Sequence, residues 1–242
     1  MATAALRGRL TWQTATVKAV SAETPSVVTI ELDVPDWAGH RAGQHLDVRL
    51  TADDGYEAER EYSLASAPGE AVAITVERVV DGEVSTYLTE ELRVGDELEL
   101  RGPVGGYFAW DPGAGDPLTL VAGGSGIVPL RSILRHRQRA GDDAPARLLY
   151  SARTLADVIY RDELDQYRDG AQISYTLTRG QPPGWTGHTG RINRALLAEV
   201  AWPAVANPVA YICGPTSFVE TAAAALVDLG YPPDRVKTER FG

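Results

Sequence analysis

The spacing of apolar residues predicts two kinds of structure along the chain. Up to about residue 110, short segments rich in β-branched and aromatic residues are separated by turn residues. Apolar and polar positions partly alternate within these segments, as is typical of half-buried strands. Six strands are predicted, at 11–20, 27–34, 46–50, 62–65, 72–79 and 97–100. Such a series predicts an antiparallel barrel or sandwich. One helix interrupts it at 86–92, with Ser85 as the expected N-cap.

A segment rich in glycine and proline at 111–117 separates this region from one with a different rhythm. The second region predicts strands at 118–122, 147–151, 172–178, 209–212 and 236–239 and helices at 128–139, 156–167, 192–200 and 216–229. Repeated strand–helix units indicate an open parallel sheet with helices on both faces. We therefore expect two domains, a β domain at 1–112 and an α/β domain at 113–242.

Composition narrows the possible functions. The chain has 33 acidic and 23 basic residues and a net charge of −10, which argues against binding nucleic acid or an anionic membrane surface. The single cysteine, Cys213, cannot form an intrachain disulfide or supply a cysteine-ligated zinc or iron–sulfur site. The four histidines show no ligand spacing, so no metal site is predicted. With no long apolar run and no secretion signal, we expect a cytoplasmic protein without membrane association.

The first candidate site is Arg60-Glu61-Tyr62-Ser63. Side chains alternate along a strand, so Arg60 and Tyr62 share one face. An arginine offers a fork of donors that suits a phosphate, a tyrosine offers a flat face for a ring, and the Ser63 hydroxyl can donate or accept. The alternative is an ordinary strand with a solvated arginine and a buried tyrosine.

Two further candidates are turns that lead into predicted helices. Asp81-Gly82-Glu83-Val84-Ser85-Thr86 enters the helix of the first domain, where free backbone N–H groups favour an anion. Gly123-Gly124-Ser125-Gly126-Ile127-Val128-Pro129 follows an apolar strand, and its glycines let the backbone approach a phosphate. Both could instead be simple structural turns, capped by serine or by glycine. Cys213-Gly214-Pro215 ends a later strand at the same edge of the predicted sheet.

These segments, in this order and with Glu239-Arg240-Phe241 near the end, resemble the ferredoxin–NADP reductase family of flavoproteins over nearly the whole chain. The resemblance implies a six-stranded antiparallel Greek-key barrel that binds FAD and an α/β domain that binds NAD(P)H. It further implies catalytic roles for Ser63 beside flavin N5, for Cys213 against the nicotinamide, and for Glu239 in tuning the site or relaying a proton.

The same resemblance implies the binding residues. Those expected to bind FAD are Arg60, Tyr62, Ser63, Arg78, Gly82, Val84, Ser85, Thr86 and Phe241. Those expected to bind the dinucleotide are Gly124, Ser125, Gly126, Ile127, Ser151, Arg153, Arg161, Cys213, Gly214 and Pro215. FAD is favoured over FMN because relatives that carry FMN lack a helix like the one at 86–92.

The choice of dinucleotide depends on the end of the second parallel strand. Ser151 and Arg153 there, with Arg161 on the following helix, suit the 2′-phosphate of NADPH, whereas NAD-binding sites favour an acidic residue. We expect NADPH, with NADH as the alternative. At the C-terminus the chain departs from the family, since Phe241 replaces the usual tyrosine and Gly242 follows it.

The implied activity is hydride transfer from NAD(P)H to flavin N5. Electrons would then pass to a separate acceptor such as a ferredoxin, a flavodoxin, a monooxygenase component or a small molecule, since the chain lacks the cysteines of a fused iron–sulfur domain. Two alternatives stay open: an NAD(P)H:flavin reductase that uses flavin as a substrate, and a non-catalytic flavin-binding sensor or scaffold. The predicted helix at 128–139 carries four arginines, which indicate either a solvated face or a docking surface for an acidic partner.

Overall fold

The computed structural model describes residues 10–167 and 170–241. Its first part is a sheet of six strands: β1 Gln13–Thr24, β2 Val27–Asp33, β3 His45–Thr51, β4 Glu57–Ser63, β5 Val72–Glu77 and β6 Glu97–Val104. The strand order is β4-β3-β6-β1-β2-β5, and every pairing is antiparallel. A bridge between Leu64 and Ile74 joins the two outermost strands, so the sheet closes into the predicted barrel.

Alternation along the strands builds the barrel interior. Ile30 and Leu32 of β2 point inward and are buried, whereas Glu31 and Asp33 between and after them are exposed. Leu46 and Val48 of β3 are fully buried in the same cluster. The pattern therefore places the intervening residues of β3 and β4, including Ser63, on the outer side of the barrel wall.

The helix of the first part begins earlier than predicted. α1 is Glu83–Thr86 and continues as a π-helical turn at Tyr87–Glu91. The prediction of Ser85 as N-cap is wrong, because Gly82 holds that position. The Ser85 hydroxyl donates to the Gly82 carbonyl at 3.1 Å and accepts from the Val79 N–H at 3.1 Å. The serine thus stabilises the entry to the helix from within its first turn.

The second part is a parallel sheet of six strands: β7 Leu118–Gly123, β8 Ala146–Ala152, β9 Ala171–Leu177, β10 His188–Thr189, β11 Val209–Pro215 and β12 Val236–Phe241. The order is β10-β9-β8-β7-β11-β12. The helices are α2 Ile127–Arg139, α3 Arg161–Leu164, α4 Arg194–Val200 and α5 Thr216–Asp228, with 3₁₀ turns at Gly124–Gly126, Leu155–Asp157, Ala204–Ala206 and Pro233–Arg235. Leu120 packs with α2 and Val121 packs with α4 and α5, which confirms helices on both faces.

Two elements differ from the sequence prediction. The helix expected at 156–167 is reduced to the 3₁₀ turn Leu155–Asp157 and the single turn of α3. Tyr160 lies between them with φ +59°, a left-handed conformation that a continuous α-helix does not permit. β10 was not predicted, because two residues are too few to show a period.

The two sheets share a packed boundary. Ala65, Phe108 and Trp110 of the first part belong to the same buried cluster as Leu130 of α2 and Tyr211 of β11. This cluster holds the end of β4 against the carboxyl edge of the parallel sheet. None of the helices within 10–167 and 170–241 is long and apolar enough to cross a bilayer.

The arginines of α2 make contacts within the chain. Three of them, Arg131, Arg135 and Arg139, form salt bridges with two carboxylates, Glu70 and Glu163. Arg137 is buried and donates to the carbonyl of Ala144. The helix therefore does not offer four free cations to an acidic partner.

Candidate functional site

Ser63 and Glu239 meet at the boundary between the two sheets. Ser63 is the last residue of β4 and Glu239 lies near the end of β12, 176 residues later. The Ser63 hydroxyl donates to Glu239 Oε1 at 3.0 Å. Burial raises the pKa of Glu239, while the Ser63 hydrogen bond and the charge of His45 lower it in part. The pair can therefore hold and exchange a proton at a higher pH than an exposed glutamate could.

Cys213 lies beside this pair in the parallel sheet. In register it stands between Ala122 of β7 and Glu239 of β12, and it is 1% exposed. Burial raises the pKa of the Cys213 thiol well above its ordinary value, and the nearby Glu239 charge raises it further. The sulfur is therefore a neutral thiol near pH 7, suited to contact and not to nucleophilic attack.

The glycine turn packs directly on the end of β11. A Cβ on Gly126 would lie 2.1 Å from the carbonyl oxygen of Cys213, so only glycine fits there. Gly124 has a left-handed φ of +55°. A Cβ built on Gly124 would lie 3.8 Å from a carboxylate oxygen of Glu77. The Ile127 side chain is buried in the core, so only its backbone is available to a ligand. The turn brings the N-terminus of α2 to the strand ends beside Cys213, where an anion is favoured.

The carboxyl ends of β8, β9 and β10 carry three arginines. Ser151, nearly buried, pairs in register with Gly123 of β7, and Arg153 follows two residues later on the surface. The Arg179 N–H donates to the Arg153 carbonyl at 2.9 Å, and Arg191 follows the end of β10. Among the described residues, no carboxylate lies within 4.0 Å of any of these guanidinium groups.

The sequence analysis named Arg153 as a candidate but not Arg179 or Arg191. Their positions in the sequence could have identified Arg179 and Arg191, because each closely follows a strand, as Arg153 does. Arg161, which the sequence grouped with Arg153, forms a salt bridge with Asp165 at 3.6 Å and lines a cavity with Glu23 and Glu163. The helix expected to present Arg161 is replaced by a 3₁₀ turn and a single helical turn.

Arg60 and Tyr62 occupy the opposite face of β4 from Ser63. Tyr62 pairs with Leu46 and Arg60 with Val48 across β3. Tyr62 is half-buried, and burial raises its pKa to about 12, while the Arg60 charge acts in the opposite direction. Arg60 is exposed and donates to the carbonyl of Glu59 at 2.7 Å. Arg60 and Tyr62 thus share one face of β4.

The start of α1 offers backbone donors and few side-chain donors. The N–H groups of residues 83–85 occupy its first turn, where a helix supplies no acceptor. The Thr86 N–H already donates to the Gly82 carbonyl at 2.9 Å, and the Val84 side chain is buried. Arg78 forms a salt bridge with Glu90 on the surface. Any phosphate contact of Arg78 would therefore compete with this carboxylate.

The remaining predicted residues lie at the end of the parallel sheet. Gly214 and Pro215 close β11, and Phe241 pairs in register with Pro215 while remaining 40% exposed. Gly242 lies outside the described residues. The aromatic ring is thus held on a strand end beside Cys213 and Glu239, and it is accessible.

One group of possible metal ligands lies nearby. His45, Asp47 and Glu61 each place a ligand atom within 4.8 Å of the others. Asp47 is already engaged by Arg101 at 2.6 Å. The group is better explained as part of the charged outer surface of the barrel.

The residues described above fit two ligands. A half-buried tyrosine ring with an arginine free of carboxylate partners among the described residues suits a flavin. A glycine turn that leads into the N-terminus of α2 suits a phosphate. Two family models match the chain accordingly. The oxidoreductase FAD-binding domain covers residues 14–109, and the oxidoreductase NAD-binding domain covers residues 120–224.

Curated relatives are similar to this chain over most of its length. The chain is 38% identical over 213 residues to ferredoxin–NADP reductase B of Sorangium cellulosum, covering 83% of this chain and 84% of that protein. It is 30% identical over 238 residues to the reductase component of propane 2-monooxygenase of Mycolicibacterium goodii, covering 93% and 66%. It is 34% identical over 215 residues to NADH oxidoreductase HCR of Escherichia coli, covering 87% and 63%. The chain thus spans less than two thirds of the length of the last two proteins.

Among solved structures, a ferredoxin–NADP⁺ reductase from Neisseria gonorrhoeae with bound FAD and NADP superposes with a TM-score of 0.80 at 22% identity. The match covers 95% of this chain and 98% of that one, and it confirms the order of barrel and parallel sheet. Both family models, the Sorangium relative and the fold agree. The chain belongs to the ferredoxin–NADP reductase family of FAD- and NAD-binding oxidoreductases.

Proposed function

We propose that this chain oxidises NAD(P)H with bound FAD and passes the electrons to a separate acceptor. The observation that carries the proposal is the hydrogen bond between Ser63 and Glu239, with Cys213 next to Glu239 in register. This hydrogen bond joins a residue of the flavin-binding part to a residue of the nucleotide-binding part. A reaction between the two cofactors requires that the two parts meet in this way.

The FAD site is proposed at the edge strand β4 and the start of α1. Arg60 and the free N–H groups at the start of α1 would hold the pyrophosphate, and Tyr62 would pack on the flavin ring. The full set that we propose for FAD is Arg60, Tyr62, Ser63, Arg78, Gly82, Val84, Ser85, Thr86 and Phe241. Of these, Val84 and Thr86 would contribute mainly through positioning the helix, given their contacts.

The dinucleotide site is proposed at the carboxyl edge of the parallel sheet. The turn at Gly124, Ser125 and Gly126, with the N-terminus of α2, would hold its pyrophosphate. Ser151 and Arg153 would bind the 2′-phosphate of NADPH, and we add Arg179 and Arg191 because they follow the neighbouring strands. The remaining proposed residues are Ile127, Cys213, Gly214, Pro215 and, with the least structural support, Arg161.

FAD held by these residues would supply the chemistry of hydride acceptance at N5 and of electron release singly or in pairs. The Ser63 hydroxyl has one proton, which it donates to Glu239 Oε1 in this structure. A protonated Glu239 would donate to the Ser63 oxygen instead, and the Ser63 hydroxyl would then be free to donate a hydrogen bond toward N5. Glu239 can hold a proton there because burial raises its pKa. Cys213, a neutral thiol, would fix the nicotinamide ring by contact, so its role is positioning.

The acceptor is proposed to be a separate protein, a ferredoxin, a flavodoxin or a monooxygenase component. Support comes from relatives named as a ferredoxin–NADP reductase and as the reductase component of a monooxygenase. A small-molecule acceptor is the alternative. We also propose a domain boundary after residue 112, in the segment between β6 and β7, and a cytoplasmic location.

The test is the visible spectrum of the purified chain, followed by anaerobic titration with NADPH and with NADH. We expect an oxidised flavin spectrum that NADPH bleaches at lower concentration than NADH. A colourless chain that takes up no added FAD would refute the proposal. Loss of flavin on dilution, with a rate that depends on added flavin, would instead indicate the flavin reductase. A flavin that no acceptor reoxidises would indicate the sensor or scaffold.

A further inference from the structure

We propose that Arg131 and Ser132 are positioning residues for hydride transfer, because they fix the strand end that carries Ser63 to the helix that begins at the nucleotide-binding turn. The inference rests on the proposed function. It assigns a role to two side chains of α2 that donate hydrogen bonds to the segment just after Ser63.

The two contacts lie immediately after Ser63. The Arg131 guanidinium donates from Nη1 to the Ala65 carbonyl at 3.1 Å, and the Ser132 hydroxyl donates to the Ser66 carbonyl at 2.7 Å. Ala65 and Ser66 follow Ser63 by two and three residues. A segment held at both carbonyls leaves little freedom for the hydroxyl of Ser63.

The same helix carries the other half of the site. α2 begins at Ile127, directly after Gly124–Gly126, and Arg131 is in its second turn. An α-helix rises about 1.5 Å per residue, so the anchoring contacts lie roughly 6–8 Å from its start. The turn and the end of β4 are thus linked by one short, rigid element.

Arg131 is held in place by a complete set of partners. It is 9% exposed, its Nε and Nη2 donate to Glu163 at 2.9 and 2.7 Å, and its guanidinium lies 4.2 Å from the centre of the Tyr160 ring. Tyr160 in turn donates its hydroxyl to Thr75 of the barrel. A buried arginine with this many directed contacts has one orientation, as positioning requires.

Ser66 is fixed from its own side as well. His40 Nε2 lies 3.0 Å from the Ser66 carbonyl, and the Ala73 N–H donates to the Ser66 hydroxyl at 3.1 Å. Removal of the Ser132 hydroxyl therefore loosens the link to α2 without leaving this carbonyl unpaired. We therefore expect Ser132→Ala to change the position of the segment after Ser63 more than the stability of the fold.

The experiment compares Arg131→Met and Ser132→Ala with Arg137→Met as control. Arg137 is an equally buried arginine of the same helix, but it donates to Ala144, away from β4. Arg131→Met leaves Glu163 paired with Arg135 at 3.2 Å, so no carboxylate loses its only cation. The readouts are the rate of flavin reduction at saturating NADPH, the Kd of FAD and NADPH, and amide hydrogen exchange at 64–67 in the flavin-free chain.

We expect both test variants to slow flavin reduction by about tenfold or more, since a shift of roughly 1 Å can cost about a hundredfold. The Kd values should change less than about threefold, and exchange should rise at 64–67 alone. The control should lower Tm without a change in rate or in exchange at 64–67.

Two results would overturn the inference: reduction rates in both test variants equal to the native rate, or losses that the control reproduces together with a general rise in exchange. Failure of the native chain to bind FAD or to be reduced by NADPH would refute the proposed function instead. Native reduction with unaffected variants would refute only the positioning role.

Discussion

Replacement of Gly126 by alanine tests the contact on which the nucleotide side of the site depends. A Cβ at this position would lie 2.1 Å from the carbonyl oxygen of Cys213, 2.4 Å from its carbonyl carbon and 2.7 Å from the Gly214 nitrogen. All three atoms are backbone, so no side-chain rotation can relieve the overlap. The turn and the end of β11 must move apart.

The size of the effect follows from these distances. Restoring an ordinary contact of 3.4 Å needs a displacement of about 1 Å in a close-packed region. Overpacking of this kind costs about 1–3 kcal/mol, and a backbone clash belongs at the upper end. For a chain of this size, 2–3 kcal/mol lowers Tm by roughly 4–12 °C. The same displacement should slow flavin reduction by about a hundredfold, because Cys213 and the turn would lose their alignment.

The assay combines thermal unfolding with stopped-flow reduction of the flavin by NADPH. Gly106→Ala is the matched control, since nothing lies within 4 Å of a Cβ there and its backbone is not left-handed. We expect the control to retain the native Tm and rate. A Gly126→Ala variant that melts within about 2 °C of the native chain and is reduced at the native rate would refute the reasoning.

Four further predictions concern the site. Ser63→Ala should slow flavin reduction at least about tenfold with unchanged cofactor affinities, and a smaller effect in stopped flow would count against Ser63 as a principal contributor. Arg153→Ala should raise the Kd of NADPH by about 10- to 100-fold but not that of NADH, and an equal loss by titration would exclude 2′-phosphate recognition. Cys213 should react with a disulfide reagent at pH 8 at least about a hundredfold more slowly than in the unfolded chain, because burial raises its pKa. Glu239→Gln should raise Tm at pH 8 but not at pH 4, because a raised pKa makes ionisation unfavourable in the folded state. The stability from the neutral carboxyl is present below its ordinary pKa of 4.5 and lost as pH rises through the raised pKa; an equal Tm at pH 8 would contradict this.

The sequence predicted the fold well because local patterns determine it. Alternation in β2 and continuous apolar runs such as that of β7 report directly whether one or both faces are buried. The segment rich in glycine and proline between β6 and β7 likewise marks the change from an antiparallel sheet to strand–helix units. These signals need no knowledge of distant contacts.

The predicted helix at 156–167 failed because a distant contact decides its structure. Its apolar residues have helical spacing, but Tyr160 adopts a left-handed φ and buries its ring against Arg131. Its hydroxyl reaches Thr75, 85 residues earlier in the chain. No local pattern reports such a partner.

The arginines of α2 were ambiguous for the same reason. Charge on one helix face indicates a cation-rich surface only if no carboxylate faces it. Glu70 comes from the barrel and Glu163 from α3, and both pair with this helix. The arginines that suggested a docking surface therefore form salt bridges within the chain, and the bridge to Glu70 joins α2 to the first part.

The candidate site itself depends on strand register more than on any motif. Cys213 stands opposite Glu239 because Ala210 pairs with Val236 and the two parallel strands proceed in step from there. A slip of one residue would turn Glu239 to the other face of the sheet and away from Ser63. Each motif can therefore be recognised alone. The hydrogen bond between Ser63 and Glu239, however, requires that the two sheets pack together and that β11 and β12 pair in this register. That requirement explains why the sequence identified the residues and only the structure assembled them.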